Sequence, residues 1–228
     1  MKPCVKFLVR LSCVLLVHGC CFAQNVELQK NSSRLLANFE QSGDVQALAQ
    51  LWRENHPSLP GSPTIQASHD VLTQEAVEKK AGFYLRILLA IGSRRMRLNE
   101  ERRPVAKILE AFADEMRTRT DQPFITPGKT KPETIPDVEY RQRYREYLDA
   151  QKTDAGHAET AGTLSSLETS FRADFVSCFE SLHEATRRRL LDGVAPETLS
   201  TETVKLLTER FNLPFVYQNK KPMLLNAR

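Results

Sequence analysis

The sequence predicts an all-α fold: an irregular bundle of about six helices with proline-rich connections, preceded by a signal peptide. Three observations carry this expectation. Apolar residues recur at spacings of three and four through most of the chain, the period of a helix face. No run alternates strongly between apolar and polar residues, as a half-buried strand would. Prolines and glycines gather in a few short stretches, which marks connections between long elements.

The leader comes first. Lys2, Lys6 and Arg10 precede or enter an apolar run, Leu11 to Val17, and Cys20-Cys21-Phe22-Ala23 follows. A basic start, a short apolar core and a small-residue site form the pattern of a secretory signal, cleaved here after Ala23. The run is short and interrupted by Arg10 and His18, so no transmembrane span is expected after cleavage. Val17-His18-Gly19-Cys20 also resembles the lipobox of bacterial lipoproteins. That resemblance implies a lipid anchor on Cys20 as the alternative to a free exported protein, periplasmic or extracellular.

The leader changes how the bulk numbers read. The 228 residues hold 32 basic and 28 acidic side chains, a formal charge of +4. Lys2, Lys6 and Arg10 leave with residues 1–23, which contain no acid, so 29 basic and 28 acidic residues remain, a charge of +1. A nucleic-acid-binding domain is usually strongly basic, and no nucleic-acid partner is expected. Four of the five cysteines go as well, and Cys178 alone cannot form an internal disulfide. A chain of this length buries enough apolar surface to be stable without one.

The remainder divides into short N-terminal helices and a proline-rich loop (24–66), a helical bundle (67–212) and an irregular tail (213–228). Leu35, Leu36 and Phe39, then Val45, Leu48, Leu51 and Trp52, predict two short helices parted by Gly43. Asn55 to Thr64, with three prolines, reads as a loop. Asp70 to Ile91 predicts a helix whose second half, Phe83 to Ile91, is apolar nearly all round and suits a buried position. Val105 to Thr118 predicts the next helix, with Pro104 at its start. Gln122 to Pro136 carries four prolines and a glycine, a connection. Asp137 to Gln151 places Tyr140, Tyr144, Tyr147 and Leu148 on one face. Lys152 to Gly162, small and polar, reads as another connection. Thr163 to Leu191 predicts the longest helix, with Leu164, Phe171, Cys178 and Ala185 at heptad spacing as a packing seam. Asp192 to Pro196 reads as a turn, and Pro196 to Phe211 closes the bundle.

Few residues suggest chemistry. Glu180 and His183 stand at the Glu-x-x-His spacing that ferritin-like di-iron bundles use, which on one helix puts carboxylate and imidazole on the same side. They are the candidate metal ligands. Cys178, inside an apolar seam, reads as a small buried hydrophobe. His-Glu-x-x-His, Gly-x-Ser-x-Gly and phosphate-binding glycine loops are missing from the sequence. The densest basic patch, Arg94, Arg95, Arg97, Arg102, Arg103 and Lys107, suits an anionic surface or an acidic partner. Tyr140, Tyr144 and Tyr147, set among arginines, suit an interaction face. The expected function is therefore that of an exported, non-enzymatic interaction or structural module, with a protein or an anionic envelope component as partner and no cofactor. The alternative is a metal-binding, di-iron-like bundle or a ligand-binding one with an apolar pocket beneath Phe83 to Ile91.

Mass spectrometry of the mature protein should find an unmodified N-terminus at Gln24. A lipid-modified Cys20 at the N-terminus would replace the cleaved signal by an anchor.

Overall fold

A computed structural model describes residues 30–56, 73–119, 121, 125–212, 215–218 and 221–224. The leader, Cys20 and the proline-rich run from Pro57 to Thr64 lie outside the described residues. Among the described residues the regular structure is helical apart from one short hairpin near the C-terminus. The chain divides into two compact units, Met1–Ser68 and His69–Arg228.

The first unit contains helix α1 (30–42) and helix α2 (Val45–Asn55). Gly43 ends α1 with φ +71°, a left-handed conformation that glycine adopts without the Cβ penalty. Its N–H donates to the Phe39 carbonyl at 2.8 Å. Asp44 caps α2, its carboxylate accepting from the Gln46 N–H at 2.9 Å. The apolar positions at three- and four-residue spacing turn inward: Leu36, Phe39, Leu48 and Leu51 are completely buried.

The second unit is organised by two long helices, α3 (Gln74–Thr118) and α4 (Val138–Glu180). With 45 and 43 residues they are about 67 and 64 Å long. The Gln74 amide donates to the Ser181 carbonyl, Arg102 pairs with Asp154, and Arg143 pairs with Glu115. One index rises as the other falls, so the helices run antiparallel as a hairpin. Short helices α5 (Glu184–Leu190) and α6 (Thr201–Phe211) follow, with a 3-10 turn, Pro196–Thr198, between them. Strands β1 (Phe215–Gln218) and β2 (Lys221–Leu224) form an antiparallel pair in which Phe215 faces Leu224 and Gln218 faces Lys221. The segment expected to be an irregular tail thus contains a hairpin. Phe-Val-Tyr favours extended backbone, and Pro222 is tolerated because both strands of a two-stranded sheet are edges.

Two further boundaries differ from the expectation. α3 passes straight through Pro104, and α4 passes straight through Lys152 to Gly162. Pro104 removes one ladder bond and Gly156 and Gly162 weaken the helix, by about 3 and about 1 kcal/mol each. All three are exposed, as is Glu100, whose carbonyl loses its helical donor at Pro104. Both helices are anchored by packing on either side of these residues, and that outweighs the local preference. The opposite occurs at the far end. The helix expected to reach Leu191 stops at Glu180. Ser181 to His183 leave the helix, Leu182 turns inward to 3% exposure, and Arg187 donates to the carbonyls of Phe179 (2.9 Å) and Glu180 (2.7 Å). The Arg187 guanidinium also lies over the Phe179 and Phe211 rings, 5.8 and 5.2 Å from their centroids.

The packing seam of α4 runs Leu164, Leu167, Phe171, Phe175, Phe179, all buried. It departs from strict heptads after Phe171: Cys178 is half-buried and Ala185 is exposed. A helix of 3.6 residues per turn drifts off a seven-residue repeat, and Phe179 takes the place expected of Cys178. Opposite, α3 buries Tyr84, Leu85, Ile87, Leu88 and Ile91. The stretch offered as a pocket wall is therefore used in packing.

Gly92 sets how closely the Pro196–Thr198 turn approaches α3. A Cβ at this position would land on the backbone carbonyl of Thr198, far inside van der Waals contact. At Gly156 a Cβ would meet nothing within 4 Å. Gly92→Ala is expected to destabilise by about 3 kcal/mol. Gly156→Ala should stabilise by about 1 kcal/mol, a rise in Tm of about 2–4 °C. Thermal unfolding followed by circular dichroism checks both, and equal, small shifts would show that the turn is free to move.

Candidate interaction surface along the helical hairpin

The α3–α4 hairpin is secured at its two ends and thin between them. At the far end, Phe112 of α3 stacks on Tyr140 and Tyr144 of α4, with centroids 5.4 and 5.7 Å apart, and tilts against Tyr147 at 5.0 Å. Ile125 and Ile135 of the connecting loop complete this cluster. The Tyr144 hydroxyl donates to the Thr130 carbonyl at 3.0 Å, satisfying the polar end of a fully buried ring. The tyrosine stripe does share one face of its helix, as the spacing requires. That face is buried, with Tyr140, Tyr144 and Tyr147 exposed by 2, 0 and 8%. These residues are core and not an exposed interaction face, because the loop and Phe112 fold over them.

An ionic lattice covers this cluster. Arg143 donates two hydrogen bonds to Glu115, at 2.8 and 2.7 Å. Arg119 reaches Asp121 and Asp137 at 3.0 and 3.1 Å and lies over the Tyr140 ring. Asp137 also caps α4 by accepting from the Tyr140 N–H. The Arg143 hydrogen bonds hold the Glu115 carboxyl below its ordinary value of 4.5. The Tyr140 N–H, with help from Arg119, does the same for Asp137.

The basic patch is dispersed by its partners. Arg94 donates to Glu101 at 2.9 Å. Arg95 pairs with Glu168, whose side chain is 5% exposed, and Arg172 stands 3.8 Å from the other oxygen of the same carboxylate. Thr203 of α6 donates to it at 3.4 Å. Arg102 places two nitrogens 3.1 and 3.0 Å from one Asp154 oxygen. Arg97 and Arg103 are exposed and have no ion-pair partner among the described residues. Of the five arginines expected to form one cationic surface, Arg94, Arg95 and Arg102 are neutralised within the fold.

Glu180 and His183 do not share a helix. Glu180 is the last residue of α4 and pairs with Arg210, while His183 is exposed and stands at the start of α5 without a side-chain capping hydrogen bond. The break at Ser181 removes the one-turn alignment that the spacing implied. No group of three or more His, Cys, Asp or Glu side chains among the described residues could hold a metal ion. Burial raises the Cys178 thiol above its ordinary value, the direction of an unreactive cysteine. No helix among the described residues is long and apolar enough to cross a membrane.

The surface that stands out lies between the two ends. α3 buries no residue between Leu98 and Phe112, and α4 buries none between Ala150 and Leu164. An open groove of about 710 Å³ follows the seam here. Arg102, Ala106, Leu109, Glu110 and Ala113 line it from α3, and Tyr147, Gln151, Asp154 and Ala155 from α4. The alanines are too short to fill the space between two helix axes, so the seam stays open. Sequence reading missed this surface, since it placed a helix boundary inside each half. The signal it held was the repeat of positions 102, 106, 109 and 113 on one helix face.

Compared with protein-family models, curated proteins and solved structures, the chain matches none.

The Glu115 lattice has a definite pH signature. Its folded-state value lies below the unfolded one, so its stabilisation is complete above about pH 4.5. It is lost as pH falls through the lowered folded value. Thermal unfolding between pH 7 and pH 3 should show wild type losing stability faster than Glu115→Gln, so that the gap between them closes. A gap unchanged across this range would remove Glu115 from the account.

Proposed function

We propose that this chain is an exported, non-enzymatic interaction module of the cell envelope or extracellular space, working through the open side of its α3–α4 hairpin. The observation that carries the reading is the interruption of the core. Thirteen consecutive residues on each helix, 99–111 and 151–163, are held helical with each of them exposed or half-buried. This is about 20 Å of hairpin. Helices in water draw most of their stability from burying an apolar face, and this stretch also carries Pro104, Gly156 and Gly162. A partner seated in the groove would supply the missing burial. The side chains available there suit binding rather than bond-making. Arg102 and Asp154 neutralise each other, and Tyr147 accepts a hydrogen bond from Gln151. Arg97 and Arg103 remain on the outside of α3 for an anionic envelope component or an acidic partner.

The reading is tested by photo-crosslinkers placed at Ala106, at Ala155 and, as a control on α6, at Glu209, in cells exporting the full chain. Discrete adducts from the two groove positions and none from Glu209 are expected. Absence of adducts at all three, or the same adducts from all three, would defeat it.

A further inference from the structure

We infer that the groove receives the same groove of a second copy, giving an antiparallel four-helix bundle at the middle of the hairpin. This deepens the reading above and rests on it. The ground is self-complementarity. A two-fold axis crossing the hairpin at Ala106 sets residues equally far before and after that point against each other in the two copies, as an isologous contact demands. Arg102 and Glu110 lie one turn on either side of Ala106, and both line the groove. Each copy then offers a cation to the other's carboxylate, twice. Glu110 is exposed and has no ion-pair partner among the described residues. Arg102 holds Asp154 through Nε and Nη2, and its side chain, 39% exposed, would share its charge with the second carboxylate.

The second helix obeys the same axis. Arg102 pairs with Asp154 and Phe112 touches Tyr144, so the level of Ala106 on α3 falls at Ala150 on α4, one residue from Gln151, or about 1.5 Å. Tyr147 and Ala155 are one turn either side of Gln151 and line the groove. The axis sets the edge of Tyr147 that borders the groove, its ring otherwise packed on Phe112, against the small Ala155 of the other copy. At the axis itself Ala106 meets Ala106, which lets the helices approach closely. An arbitrary partner would explain an open groove, but it would not require charge and size to alternate about one level on both helices. The footprint, roughly 20 Å along the hairpin and about two helix diameters wide, is about 400 Å² per copy, below the standard specific interface and in the range of weak, transient ones. A dimer in the micromolar range is expected.

Analytical ultracentrifugation of the mature protein between about 1 and 200 µM should show monomer–dimer exchange. Glu110→Arg sets Arg102 against a second arginine and should weaken the dimer by at least about tenfold, with an unchanged helical spectrum. In a Cys178→Ala background, Ala106→Cys should form a disulfide-linked dimer on mild oxidation. Adding Glu110→Arg should suppress it, and Glu209→Cys should form none. A monomer throughout, with no Ala106→Cys dimer, overturns the inference, as does a dimer indifferent to Glu110→Arg. If groove crosslinkers still capture other proteins in cells, the interaction reading stands and only the self-partner falls. If they capture nothing, both fall.

Discussion

The antiparallel pairing of α3 and α4 is the constraint on which the second unit depends. It is enforced at two separated places. Near Gln74 and Glu180, the phenylalanine seam of α4 is buried, as are Tyr84, Leu85, Ile87, Leu88 and Ile91 of α3. Near the connecting loop, Phe112 sits among three tyrosines. Each aromatic pair adds about 0.5–1.5 kcal/mol beyond the area it buries. With both ends held, the middle needs little of its own. That is why a proline and two glycines persist inside helices that they would break in isolation.

The smaller helices are attached by polar as well as apolar means. Among the described residues Glu168 is the single buried charged side chain. It collects Arg95 from α3, Arg172 from its own helix and the Thr203 hydroxyl from α6. Such a cluster adds little to stability relative to well-packed apolar residues, yet removing one partner from a buried charge costs about 3–5 kcal/mol. Its effect is to specify one arrangement of three helices. Arg187 acts similarly at the end of α4, closing the last carbonyls and stacking on Phe179 and Phe211.

This economy shapes the surface. Most arginines of the hairpin answer a carboxylate nearby, so the positive clusters in the sequence do not survive as positive clusters in space. What remains is a groove with paired charges, small side chains and one unanswered glutamate, Glu110. It is a surface of shape and charge pattern.

The sequence alone determined the helical class, the inward faces of α1, α2 and α4, and the grouping of three tyrosines on one side of their helix. Those properties follow from side-chain period, which every helix carries within itself. Tertiary structure decided where helices continue and where they stop. Pro104 and Gly156 look like ends because propensity is local, whereas the free energy that overrides them comes from cores that begin six to eight residues away on either side. Ser181 looks like an interior for the converse reason: the cap that ends α4 comes from Arg187, beyond the break. Pairing, too, is non-local. No spacing within α4 could reveal that the tyrosines would meet Phe112, that Arg95 would be consumed by Glu168, or that the middle of the hairpin would be left open.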